Sequence, residues 1–196
     1  NYGVHMFAFK KKYFLIIENI KDIDLRNIKK RNKFIIIYRT FRKYEDISAL
    51  ASFREKCKLK DVKFFVANDL KLAVKLKANG IYISAKNTSL KFLNLRRSNF
   101  TLIGSAHNIK EISFKKKQGC KNILLSRLFQ VTYKPHLNYL GVIRFNKYVL
   151  NIDKNIIPLG GINFSNLNNT KIIKSYGFAM MTEIKKKPAN IINRLF

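Results

Sequence analysis

The sequence predicts an α/β chain folded as a single (β/α)8 TIM barrel, a compact version with trimmed helices. Three observations predict it. Short runs of β-branched and aromatic residues recur eight times along the chain, and amphipathic stretches separate them. Parallel neighbouring strands need such crossovers, so the alternation argues for parallel pairing. No Pro/Gly/Ser-rich linker divides the 196 residues. One domain of this size buries roughly 70% of the surface its unfolded chain exposes. Eight units usually occupy about 250 residues, so helices and loops must be short. An open doubly wound sheet fits the alternation nearly as well, and the count of eight favours closure.

The elements follow in order. Asn1–Lys12 reads as an N-terminal extension of a domain spanning 1–196. The first strand is Tyr13–Glu18, followed by one or two helical turns between Asn19 and Asn32, and the second strand is Phe34–Tyr38. Asp46–Lys58 places Ile47, Leu50 and Phe53 on one helical face. After the third strand, Val62–Val66, Asp69 stands as N-cap of Leu70–Lys77, with Leu70, Val74 and Leu76 available for packing. Gly80–Ile83 is the fourth strand, and the stretch from Lys86 to Asn99 holds at most short helical turns. Phe100–Gly104 is the fifth, with Asn108 capping Ile109–Lys117. Asn122–Ser126 and Ile156–Gly160 are the sixth and seventh. Asn163 or Ser165 caps Asn166–Lys174, and Phe178–Met181 closes the barrel. Pro188–Leu195, with its proline near the first turn, suits a final helix.

Composition narrows the function classes. Apolar residues make up 47% of the chain and are spread along its length, which excludes a disordered protein. No apolar run approaches the ~20 residues of a membrane-spanning helix. The opening segment, which begins at Asn1 rather than Met, lacks the basic start and apolar stretch of a signal peptide. Cys57 and Cys120 have no CxxC or Cys/His neighbours, so two reduced structural thiols in a cytoplasmic protein are expected. Forty Lys+Arg against 11 Asp+Glu give a net charge of +29. Such a field attracts polyanions and phosphorylated ligands. The basic residues are scattered, however, and the abundance of Ile, Asn, Lys and Phe matches an AT-rich genome. No RNP-type aromatic motif or zinc finger supports nucleic-acid binding, which stays an alternative of another class.

The strongest local signal is Pro158-Leu159-Gly160-Gly161-Ile162-Asn163. An apolar strand runs into paired glycines and a polar cap. Glycines admit close backbone approach, and amides at a helix start attract anions. In such a barrel a phosphate site is commonly built by the loops after strands seven and eight. Gly160-Gly161 and Thr182-Glu183-Ile184 occupy those places. A plain tight turn is the bland reading of the glycines taken alone.

Five segments in register resemble the thiamine-phosphate synthase/TenI family, from about Tyr13 to Ile184. They are Gly160-Gly161-Ile162-Asn163 with Tyr176–Thr182, Val66-Ala67-Asn68-Asp69, Gly80–Ile83, Ile103–Asn108 with its Ser-x-His, and Gly119–Phe129 with Lys134. The resemblance implies a transferase that joins a hydroxymethylpyrimidine diphosphate to a thiazole phosphate, with magnesium, through dissociative loss of diphosphate. It also implies a homodimer. Carried over residue by residue, Arg39, Ser105 and Lys134 are the catalytic candidates. Asn68, His107, Gly160, Gly161 and Thr182 bind substrate or phosphate, and Asp69 is the metal carboxylate. The departures fall together. Ile37 and Phe41 replace a Gln and a Lys flanking Arg39. The second metal carboxylate reads Asn87, beside Lys86. Val131 and Tyr133 replace the threonines of the diphosphate loop, and Arg127 stands where the tautomerase members carry a His. Magnesium prefers carboxylate oxygens, so its site should be weakened. Lost donors also weaken stabilisation of the departing diphosphate. A TenI-like thiazole-phosphate tautomerase, or a non-catalytic thiazole-phosphate binder, is therefore the alternative. His107 reads equally as a packed, hydrogen-bonded residue, and Glu18 and Glu183 as ordinary ion-pair partners or general bases.

Overall fold

The structure is a computed structural model that describes residues 12–29, 32–42, 44–97, 100–131, 135–153 and 155–181. Eight parallel strands close into a barrel in sequence order. They are β1 (Lys12–Ile17), β2 (Phe34–Tyr38), β3 (Lys63–Ala67), β4 (Gly80–Ile83), β5 (Thr101–Ala106), β6 (Asn122–Ser126), β7 (Ile156–Leu159) and β8 (Gly177–Met180). Closure is made by β1 and β8, which pair from Lys12↔Gly177 to Leu15↔Met180. Lys12 thus belongs to β1 rather than to the expected extension, and residues 1–11 lie outside the described set.

Alternation along each strand sorts the apolar residues into two cores, because successive side chains face opposite sides of a sheet. Phe14, Ile16, Ile35, Ile37, Phe65, Tyr82, Ile103, Leu124, Ile157 and Ala179 fill the barrel interior. Their strand neighbours Leu15, Ile17, Phe34, Ile36, Phe64 and Ile81 pack instead against the outer layer. A strand buried on both faces must read as continuous apolar sequence, which is why Phe34–Tyr38 and its counterparts were legible. Tyr176 closes the lower end of the interior: its ring lies 6.4 Å from Phe14, and its hydroxyl donates to the Asn122 side-chain oxygen.

The outer layer has four α-helices among the described residues: α1 (Ile47–Leu59), α2 (Leu70–Lys75), α3 (Ile109–Lys117) and α4 (Gly141–Asn151). Asp46, Asp69 and Asn108 cap the first three as their residue types predict. The packing faces differ in detail from expectation. Leu50 and Phe53 of α1 are buried while Ile47 is exposed, and α2 buries Leu72 and Ala73, with Leu76 just after it, while Val74 faces solvent. Short 3-10 turns replace helices between β1 and β2, β4 and β5, and β7 and β8. The expected helix over 166–174 is one of these, reduced to Leu167–Ile172. There the Asn163 side chain takes the amides of Ser165 and Asn166, holding the backbone in a local turn that competes with helix formation. The proposed final helix, Pro188–Leu195, lies outside the described residues.

Helix α4 has no counterpart in the sequence reading, for a local reason. Leu140 at its N-cap makes no side-chain hydrogen bond. Its first amides are taken by strand-end carbonyls: Leu140 N–H donates to Arg127 at 2.9 Å and Gly141 N–H to Leu128 at 2.8 Å. Cys57 and Cys120 are both buried and form no disulfide. Burial pushes the Cys57 thiol up to about 12, so it behaves as an inert apolar side chain. No helix among the described residues is long and apolar enough to cross a membrane.

Candidate functional site at the barrel mouth

The C-terminal strand ends, where barrels of this kind carry their sites, gather polar side chains by simple continuation of the inward rows. Arg39 follows Ile35 and Ile37 on β2, Ser105 follows Ile103 on β5, and Tyr82 already lies in the interior cluster. Arg39 is anchored through its backbone, donating to the Ile17 carbonyl at 2.8 Å. Its guanidinium carbon stands 4.7 Å from the centre of the Phe41 ring and 5.9 Å from that of Tyr82. Tyr82 is fully buried and hydrogen-bonded to the Ser105 side chain. Burial pushes the Tyr82 hydroxyl up, against the pull of the Arg39 charge and of the Ser105 hydrogen bond. Arg39 and Ser105, singled out separately in the sequence, are therefore brought together by Tyr82. Sequence reasoning missed this tyrosine; the available signal was a phenol at an interior-facing position of a barrel strand, two residues after Gly80.

The β3–β4 side is committed to itself. Asn68 sits in the left-handed region at φ +59°. Its side-chain oxygen accepts from the Ser84 amide at 3.0 Å and from Asn87 Nδ2 at 3.0 Å. Asn87 Oδ1 accepts in turn from the Ser89 amide at 3.0 Å. Asp69 caps α2 through Leu72 N–H at 2.9 Å, and its other oxygen accepts from the Tyr44 hydroxyl at 3.2 Å. Beneath this loop lies Lys115, 1% exposed, whose ammonium donates to Ser84 O at 2.8 Å, Asn87 O at 2.7 Å and Gln118 Oε1 at 2.9 Å. Gln118 Nε2 donates to the carbonyls of Asn87 and Ser89. Burial lowers the Lys115 pKa, partly offset by the neighbouring Cys120 and Glu111. The expected metal carboxylate and the position of its lost partner are thus both spent on local structure.

On the β6–β7 side, Gly160 and Gly161 adopt φ of +95° and +71°. A Cβ on Gly161 would lie 2.5 Å from the Phe129 carbonyl oxygen, so the loop after β6 packs on bare backbone. Asn166 Nδ2 holds the Gly161 carbonyl at 2.7 Å, and the Asn166 side-chain oxygen takes the Asn163 amide at 2.9 Å. The Gly161 N–H itself donates to no acceptor among the described residues. Only six residues of 3-10 turn follow, so the anion-attracting helix start expected after the glycines is not formed. Arg127 lies along Gly160, its Cγ 3.2 Å from where a Cβ would stand. Lys134, Thr182 and Glu183 lie outside the described residues.

His107 follows β5 directly and is paired with the helix that comes next. Its Nδ1 is 3.1 Å from Glu111 Oε2 on α3, and with Asn108, Ile109, Leu125, Leu140 and Tyr148 it lines a cavity of about 400 Å³ between α3 and α4. That cavity lies in the helical layer, apart from the polar groups at the mouth.

A closed (β/α)8 barrel thus gathers a guanidinium, a phenol–serine pair and a left-handed diglycine loop at the C-terminal ends of its strands. A family model described as thiamine monophosphate synthase (TMP-TENI) matches residues 16–184, and the chain belongs to that family. A thiamine-phosphate synthase of Methanococcus vannielii is 23% identical over 124 residues, 63% of this chain and 60% of the relative. One of Clostridioides difficile is 22% identical over 134 residues, 68% of this chain and 64% of the relative. One of Prochlorococcus marinus is 26% identical over 116 residues, 59% of this chain and 34% of the relative. The chain therefore matches less than two thirds of the length of these curated relatives. Among solved structures, a thiamine phosphate pyrophosphorylase of Pyrococcus furiosus superposes with a TM-score of 0.71 at 16% identity, covering 95% of this chain and 98% of that one. A 3-keto-L-gulonate-6-phosphate decarboxylase of Vibrio cholerae superposes at 0.61 with 13% identity, covering 95% and 99%. At these identities the superpositions establish the fold.

Proposed function

We propose that the chain is a thiamine-phosphate synthase-type transferase, with a phosphorylated small molecule as its partner. The observation that carries this is the family match over 16–184 on a closed barrel with Arg39, Ser105 and Gly160-Gly161 at one end. In this reading the diglycine loop and the Thr182 segment seat thiazole phosphate. Arg39 meets the diphosphate, a role the resemblance also assigns to Lys134, and the departing diphosphate oxygen keeps the electrons of the broken C–O bond as the thiazole nitrogen bonds the pyrimidine methylene carbon. Ser105 and Tyr82 orient Arg39 rather than touch the reacting atoms. Positive charge fixed in advance where negative charge develops lowers the barrier. The donor set does not fit a resident magnesium ion: Asp69 is one carboxylate already capping a helix, and Asn87 is an amide already bonded. The same reading carries a homodimer and a cytoplasmic setting, both following from the family rather than from a contact in this chain. Supplying both substrates and magnesium should yield thiamine phosphate; no product at high enzyme concentration counts against the synthase.

The self-bonded Asn68–Ser84–Asn87 cluster favours a second reading, a TenI-like member that tautomerises or only holds thiazole phosphate. Exchange of solvent protons into a thiazole tautomer, without condensation, selects it.

A further inference from the structure

We propose that Arg127 is a specificity-determining residue of the mouth, a guanidinium held ready for the phosphoryl oxygens of the ligand; this deepens the phosphate-ester reading above and rests on it. Arg127 directly follows β6, and its side chain runs along Gly160, with Cγ, Cα and Cβ 3.2–3.5 Å from the place a Cβ would occupy. Its backbone is fixed from two sides. Leu128 and Phe129 donate to the carbonyls of Leu159 and Gly160 at 3.0 and 3.1 Å, while the Arg127 carbonyl takes the amide of Leu140, the residue that precedes α4, at 2.9 Å. On this rigid platform Nη1 is sealed from solvent and has no hydrogen-bond partner; it is the one such buried side-chain nitrogen or oxygen among the described residues.

An unpartnered nitrogen of this kind is costly. A buried donor of a charged group left unpaired forfeits its hydration with nothing in return. An arginine kept for structure would be bonded or wet. The buried Lys115 ammonium, by contrast, has three acceptors. A phosphoryl oxygen of a bound ligand would supply that acceptor. A planar guanidinium fork matches phosphate oxygens two at a time, which a lysine does not. The nearest turn, Gly160-Gly161, is where the family reading seats the phosphate, so the glycine that makes room for Arg127 also brings it to that anion.

The test titrates wild type, Arg127→Met and Arg127→Lys with thiazole phosphate and with inorganic phosphate, and melts each protein without ligand. The proposal expects Arg127→Met to bind both about ten- to a hundred-fold more weakly, with Arg127→Lys in between. It also expects Arg127→Met to melt at or above the wild-type temperature, because an unpaired buried donor is removed. Unchanged binding by Arg127→Met overturns the proposal and leaves the phosphate-ester reading standing. A lower melting temperature together with lost binding makes Arg127 a structural residue and overturns it too. If wild type binds neither compound, the reading and the proposal fall together.

Discussion

Lys115 shows how much a single side chain decides. Its ammonium is buried without a carboxylate, and three oxygens replace its water. Arg127 sets the contrast, with a buried nitrogen that lacks such acceptors. Replacing Lys115 by Met should strand those oxygens and cost about 2–3 kcal/mol, read by denaturant unfolding. The sign of the pH effect follows from burial, which holds the folded pKa below the 10.5 of a free lysine. Above that folded value the unfolded chain binds more protons than the native one, so stability rises with pH up to about 10.5. Below it, the cost of the buried charge is present in full. Lys115→Met should lack this alkaline gain in a pH series of melts. None of this was legible in the sequence, where Lys115 reads as one of three solvated lysines ending a helix. Only the packing of that helix on the β4–β5 loop distinguishes it.

At the scale of elements, what was legible depended on where each backbone group finds its partner. Strands buried on both faces announce themselves as Ile- and Phe-rich runs, and helices capped by Asp46, Asp69 and Asn108 announce their starts. Helix α4 does neither, since carbonyls of Arg127 and Leu128 cap it and no residue type records that. The 3-10 turn after β7 was misread for the converse reason: Asn163 and Asn166, good capping residues, bond locally instead. Asp69→Ala should cost about 1 kcal/mol through the lost cap of α2, roughly 2–4 °C in Tm, and free the Tyr44 hydroxyl as well. Were Asp69 chiefly a metal ligand, the loss would appear only when magnesium is added. Gly161→Ala should be costlier, at about 2–4 kcal/mol, because it combines a left-handed backbone with a clash on the Phe129 carbonyl. Thermal unfolding checks both, and phosphate binding should fall with the second.

For the whole molecule, eight parallel strands in sequence order place the β2, β5 and β7 ends around one opening, which is why residues as distant as Arg39, Ser105 and Gly160 stand at the same end of the barrel. The candidates were legible as motifs, but their partners were not: Tyr82 joins Arg39 to Ser105 only through the inward register of three different strands. The pairing of His107 with Glu111 of α3 was equally illegible, since it depends on how the β5 end runs into that helix. The charge of +29 acts over the whole surface and should give only salt-sensitive attraction to polyanions. RNA retained on a filter at low salt should be released near physiological ionic strength, and retention there would mark a dedicated nucleic-acid surface. The central claim is that the mouth is a thiazole-phosphate site completed by diphosphate. Calorimetric titration with thiazole phosphate, alone and with magnesium diphosphate, tests it most directly. Binding that tightens when magnesium diphosphate is present is the predicted result. Binding indifferent to it would leave a TenI-like barrel, and no binding of thiazole phosphate would contradict the account.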